Sequence, residues 1–125
     1  MKQEQIDALR HLPIPDQGLQ IDGRWVAAAS GQTLAVVSPI DGQQLCTIAV
    51  AGPVDVDRAV HAARRTFEQG VWSRMAPAER KKVLHRIADL IEAHHAELAV
   101  LGVRDNGTEI AMAWKAEPGL SLIHI

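Results

Sequence analysis

Apolar and polar positions along the 125-residue chain change their period once, at Gly52-Pro53. Before that point the apolar residues fall in short runs: Leu19-Gln20-Ile21, Arg24-Trp25-Val26, Thr33 to Val37 and Leu45 to Val50. Runs of this length bounded by turn-forming residues predict β-strands. Asp22-Gly23 separates the first two and suits a type I′ turn, in which both central residues take positive φ. Ser30-Gly31-Gln32 and Ser38-Pro39-Ile40-Asp41-Gly42 separate the others. Residues 1–18 are polar and end in Leu12-Pro13-Ile14-Pro15, where each proline disfavours helix at the residue before it. This segment is expected to be an N-terminal arm.

After Gly52-Pro53 the spacing becomes helical. Val56, Ala59, Val60, Ala63 and Phe67 form one stripe, Asp55 and Asp57 sit near the positive end of the helix, and Gly70 stops it. Pro77 suits the first turn of a second helix with Leu84, Ile87, Ala88 and Ile91 on one face, although Ala76 before it offers no cap. A third helix runs through Leu98, Leu101 and Gly102 to Asn106-Gly107, and a fourth from about Thr108 to Glu117-Pro118-Gly119. Strands over 19–50 followed by helices over 53–118 make a mixed α/β chain without internal repeats. Its last residues, Leu120-Ser121-Leu122-Ile123-His124-Ile125, are apolar and carry no stop signal, so the chain reads as truncated, with 121–125 a non-native tail.

Composition narrows the classes. A chain 47% apolar and 22% charged is globular rather than disordered, and with Trp25, Trp72, Trp114 and Phe67 as its only aromatics its core must be aliphatic. A net charge of -2 argues against a globally basic nucleic-acid binder. Cys46 is the only cysteine, which excludes an intrachain disulfide and a cysteine-rich zinc site and makes a reducing, cytoplasmic compartment the default. No run approaches the roughly 18 apolar residues of a membrane span.

Candidate chemistry is sparse. Cys46, flanked by Leu45, Thr47 and Ile48, reads as a strand core thiol and not as an activated nucleophile. His85, His94 and His95 include no pair at i, i+4, so they read as a solvated helix face rather than a zinc site. Eight cations (Arg58, Arg64, Arg65, Arg74, Arg80, Lys81, Lys82, Arg86) lie among only two acids, Glu68 and Glu79; they fit either a solvated face or a surface for an acidic partner. Neither a G-x-G-x-x-G turn, a G-K-[ST] loop nor an H-E-x-x-H helix occurs, so no catalytic and no cofactor-binding residue is assigned.

Taken in order, the pieces resemble the N-terminal quarter or so of an NAD(P)-dependent aldehyde dehydrogenase. Ile21-Asp22-Gly23-Arg24-Trp25-Val26 is similar to that family's opening hairpin, and Ser38-Pro39-Ile40-Asp41-Gly42 to its Asn-Pro-x-x-Gly turn. Val56-Asp57-Arg58-Ala59-Val60, Ala62-Ala63-Arg64, Phe67, Trp72, Pro77-Ala78-Glu79-Arg80, Ile87-Ala88-Asp89-Leu90-Ile91 and Asp105-Asn106-Gly107 follow its first helices at matching separations. Ser38 stands where the family has Asn, Ala76 where it has a capping Ser or Thr, and Gly102 where it has Glu. The stretch Val103 to Thr108 looks most like the amino-aldehyde and betaine-aldehyde branch.

The resemblance implies an α/β fold: the N-terminal hairpins and first helices of a Rossmann-like nucleotide-binding domain, truncated, with 1–18 an arm and 19–120 the family segment. It also implies an oxidoreductase that oxidises a small-molecule aldehyde to a carboxylic acid with NAD or NADP and assembles as a homo-oligomer, without nucleic-acid or membrane partners. The family's cysteine nucleophile attacks the aldehyde, hydride passes to the nicotinamide, and a glutamate activates water to hydrolyse the thioester. Those residues are expected beyond residue 125, so the chain alone should be inactive and hold no nucleotide. A monovalent-cation site for K⁺ or Na⁺ maps onto the carbonyl of Val37, with Val36 beside it, and the carboxylate of Asp105. Asp105 could equally serve only to terminate its helix. A stand-alone α/β interaction module, binding an acidic partner through the basic helical face, is the alternative function.

Overall fold

The structure, a computed structural model, describes residues 3–115. Its elements are α1 (Gln3–Arg10), β1 (Leu19–Ile21), β2 (Arg24–Val26), β3 (Thr33–Val37), β4 (Gln44–Ala49), α2 (Pro53–Gln69), α3 (Pro77–Ala93) and α4 (His95–Asn106), and residues 110–115 are again helical. The chain divides into two compact units, one of Ile14–Val36 with Gln44–Ala76, the other of the segment to Pro13, Val37–Gln43 and the chain from Pro77.

In the first of these, Asp22 (φ 55°) and Gly23 (φ 72°) both adopt the left-handed region that the sequence requires of them. They set the antiparallel register Leu19↔Val26, Gln20↔Trp25, Ile21↔Arg24. β3 and β4 form a separate two-stranded sheet. The segment before β1 is tied to β4: Gln17 donates to the Thr47 carbonyl and accepts from the Ala49 amide, both at 2.8 Å. Asp16 Oδ1 accepts the Thr47 amide at 2.6 Å, and this bond holds the exposed Asp16 carboxyl below its ordinary pKa.

Helix α2 begins and ends where its residues dictate. Pro53 occupies the first turn, where its missing N–H costs nothing, and Gly70 closes the helix at φ 71° with its amide on the Phe67 carbonyl. Asp55 is buried to 1% exposure and accepts from the Gly52 amide at 3.1 Å and from the Ala29 amide at 3.0 and 3.1 Å. One carboxylate thus caps the helix and fixes the loop after β2. The helix lies against β1, and Arg65 reaches Asp22 in the hairpin turn at 2.8 Å.

In the other unit α4 is the centre, with α1 and α3 packed on it. The arm expected over residues 1–18 contains helix α1, which its polar sequence does not announce. Ile6 and Leu9, three residues apart, are its only half-buried positions, and Arg104 of α4 donates to the Leu12 carbonyl at 2.6 Å just beyond it. Docking supplies what propensity does not. α4 ends as expected at Gly107 (φ 75°), whose amide bonds the Val103 carbonyl. The expected helix end at 117–119 and the tail 121–125 lie outside the described residues.

The core is smaller-grained than the composition implies. Ala28, Ala62, Ala99 and Ala113 are buried alongside Ile21, Cys46 and Val100, and no leucine is among them. Alanine occupies the closest approaches, and the longer side chains lie at the margins. The expected α2 stripe is largely uncovered: Val56 is 54% exposed, Val60 60% and Phe67 66%. Among the described residues no helix is long and apolar enough to cross a membrane.

Candidate functional site

The residues matched to a cation site flank the turn after β3 and the end of α4. The turn is built by Ser38, 5% exposed, whose amide donates to the Gln43 carbonyl, whose carbonyl accepts the Gly42 amide and whose Oγ accepts the Ile40 amide. Asp41 Oδ1 takes the Gln43 amide, and that bond, with help from the Ser38 hydroxyl, keeps the Asp41 carboxyl below its usual range. Serine therefore supplies the side-chain cap of this turn.

Val37 and Asp105 fall in the same compact unit, and Val36 is the strand residue before Val37. The turn lies close to the helix end: a Cβ placed on Gly107 would come 3.2 Å from Pro39 Cγ. Asp105 is exposed and makes no side-chain hydrogen bond among the described residues. The helix-ending role open to it belongs to its neighbour, since Asn106 Oδ1 accepts the Thr108 amide at 2.8 Å. No group of three or more His, Cys, Asp or Glu among the described residues could hold a transition metal.

A second feature escapes sequence inspection. An open groove of about 580 Å³ runs between the β1–β2 turn and α2, lined by Ile21, Ala59, Ala62, Ala63, Phe67 and Trp72 among others. Two of its polar groups are engaged: Asp22 pairs with Arg65, and Thr66 Oγ1 donates to the Ala62 carbonyl. Nothing in it resembles a nucleophile with a base beside it.

The other candidates resolve as follows. Cys46 is enclosed in β4 at 9% exposure, the core position expected. His94 faces solvent and pairs with Glu97 at 2.9 Å, but His95 corrects the expectation of a solvated face. Its ring stacks on Trp114 at 3.8 Å, and its Nε2–H donates to the Trp114 carbonyl at 2.8 Å. Burial against an aromatic 19 residues away is a tertiary event that local spacing does not encode. Much of the basic stripe is neutralised locally: Arg58 by Asp55, Arg64 by Glu68, Arg65 by Asp22 and Lys82 by Glu79.

For a dinucleotide, the β4–α2 connection is the strand-to-helix turn to test. It does not fit. Pro53 has no amide hydrogen, and the Gly52 amide already serves the Asp55 carboxylate, so a pyrophosphate would meet a fixed negative charge where it needs donors.

Comparison with known proteins supplies the rest. The family model described as the aldehyde dehydrogenase family matches residues 25–121. The NADP/NAD-dependent aldehyde dehydrogenase PuuC of Escherichia coli (strain K12) is 48% identical over 92 residues, 74% of this chain and 19% of that protein. The cytosolic 10-formyltetrahydrofolate dehydrogenase of Xenopus tropicalis is 40% identical over 87% of this chain and 12% of its own length. Among solved structures, an apo indole-3-acetaldehyde dehydrogenase superposes with a TM-score of 0.86 at 38% identity, over 94% of this chain and 27% of its own. The γ-glutamyl-γ-aminobutyraldehyde dehydrogenase of Burkholderia cenocepacia J2315 does so with a TM-score of 0.86 at 38% identity, over 95% and 24%. The chain thus spans between about an eighth and a quarter of these relatives' lengths, and it belongs to the aldehyde dehydrogenase family.

Proposed function

We propose that this aldehyde dehydrogenase segment, residues 19–120 with the lead-in 1–18, forms the N-terminal part of the nucleotide-binding domain in an NAD(P)-dependent enzyme that oxidises an aldehyde to a carboxylic acid. The observation that carries the reading is the ordered likeness over nearly the whole chain, at a TM-score of 0.86 and 38% identity. The chain's own contribution is scaffolding. The nucleophile, the water-activating glutamate and the NAD or NADP cradle come from the rest of a cytoplasmic, homo-oligomeric parent. The nicotinamide, when bound there, accepts the hydride. The likeness to the γ-glutamyl-γ-aminobutyraldehyde enzyme supports the amino-aldehyde and betaine-aldehyde branch.

Val37, next to Val36, and Asp105 hold K⁺ or Na⁺ in this reading. A hard monovalent ion suits oxygen ligands, and a strand-end carbonyl with a helix-end carboxylate that has no partner among the described residues supplies them. The nearness of the turn to the helix end, where a Cβ added to Gly107 would come 3.2 Å from Pro39 Cγ, supports it.

The chain alone, given aldehyde and NAD⁺ or NADP⁺, should form no reduced nicotinamide above background. Turnover that vanishes on Cys46→Ala would overturn the reading. In the full-length parent, Asp105→Ala should abolish the gain in thermal stability that K⁺ confers; an undiminished gain removes the cation site.

A further inference from the structure

An Asp or Asn stands directly before glycine three times in the chain, at Asp22-Gly23, Asp41-Gly42 and Asn106-Gly107. Glycine has no Cβ to shield its amide nitrogen, so that nitrogen can reach the carbonyl carbon of the preceding side chain and close a five-membered imide. Ring closure needs an electrophilic side chain with a leaving group. An ionised carboxylate is a poor electrophile; Asp22 pairs with Arg65 at 2.8 Å, and Asp41 is kept ionised by the Gln43 amide on its Oδ1. Asn106 is the chain's only asparagine, and its neutral carboxamide can release ammonia.

The end of α4 sets both reacting groups. Asn106 Oδ1 accepts the Thr108 amide at 2.8 Å, a bond that spans the Gly107 peptide and draws electrons away from the Asn106 Cγ. Gly107, the would-be nucleophile, is tied down instead: its amide donates to the Val103 carbonyl at 2.9 Å, and attack requires that proton to leave. Asn106 and Gly107 are both exposed, so water and hydroxide reach them. One backbone hydrogen bond in the last turn, where helices fray first, therefore separates the folded chain from reaction.

We propose that Asn106 is a site of spontaneous deamidation, held closed by the Gly107–Val103 bond of folded α4 and released when that turn opens. Hydroxide removes the Gly107 amide proton, the nitrogen bonds to Asn106 Cγ, and the Cγ–Nδ2 bond breaks as Nδ2 takes a proton from water and departs as ammonia. Water then opens the imide at either carbonyl, leaving aspartate or isoaspartate at 106 with no change of oxidation state. Either product places a negative charge beside Asp105 at the negative end of the α4 dipole, so modification weakens the turn that had prevented it. The proposal concerns the polypeptide itself and stands apart from the oxidoreductase reading.

The test incubates the 125-residue chain at mildly alkaline pH, in buffer and in guanidinium chloride, and follows the tryptic peptide 105–115, which contains no glutamine, by mass and by isoaspartate content. In denaturant the peptide should convert to the acid, with isoaspartate among the products. In buffer conversion should be several-fold slower, and hydrogen exchange at the Gly107 amide should be slowed as well. No conversion in denaturant overturns the site. Equal rates in the two solvents, or an unprotected Gly107 amide, overturn the gate, whether the cap fails to protect or fails to form. Asn106→Asp, measured at low ionic strength without K⁺ or Na⁺, should lower the thermal midpoint by a few degrees; an unchanged or raised midpoint overturns the self-weakening step.

Discussion

Helices α2 and α4 are stabilised in opposite ways. α2, 17 residues long with a clean apolar stripe, buries only Asp55 and Ala62; α4, 12 residues with a less regular pattern, buries Ala99 and Val100 beneath α1 and α3. α2 is anchored by charge and hydrogen bonds, α4 by packing of small residues. Periodicity therefore reports which face of a helix wants a partner. It does not report whether the partner belongs to the same piece of chain.

The largest effect should come from the anchor of α2. Asp55→Ala leaves the Ala29 and Gly52 amides without their acceptor and should cost about 2–4 kcal/mol, read by urea denaturation. A cost below about 0.5 kcal/mol, the scale of an ordinary surface change, would erase the contrast between the helices. Next is Ala99→Leu, which forces four heavy atoms less one into a position of 0% exposure and should cost about 1–3 kcal/mol through overpacking. If it is neutral, α4 is not packing-held.

A third measurement concerns the other carboxylate that holds an amide in the α2 unit. The Thr47 amide lowers the Asp16 pKa in the folded chain, so folding favours the ionised form. Its contribution is fully present above the ordinary carboxylate pKa of about 3.9 and disappears as pH falls through the lowered value. Asp16→Asn should flatten the acid limb of the stability profile below about pH 4; an unaltered limb would show the bond carries no linkage. The smallest effect is expected at Val60→Ala in the isolated chain, within about 0.5 kcal/mol, because the side chain is already 60% exposed. A larger loss would mean that the stripe is buried by self-association.

Local chemistry was legible wherever one residue settles a backbone choice. Asp22-Gly23, Pro53, Gly70 and Gly107 each mark a boundary that the fold keeps. What depends on distant partners was not legible: α1 forms by docking on α4, His95 turns inward to Trp114, and Asp55 reaches an amide 26 residues away. The proposed cation ligands Val36, Val37 and Asp105 rest on family likeness alone, since a carbonyl ligand leaves no mark in side-chain pattern. The groove beside α2 was invisible for the same reason that the stripe looked like core.

Cys46 gives the molecule a built-in clock. It is the sole thiol and is shielded within β4, so a soluble disulfide reagent can react only when that strand opens. The labelling rate therefore times the opening of the β3–β4 ribbon with no competing signal.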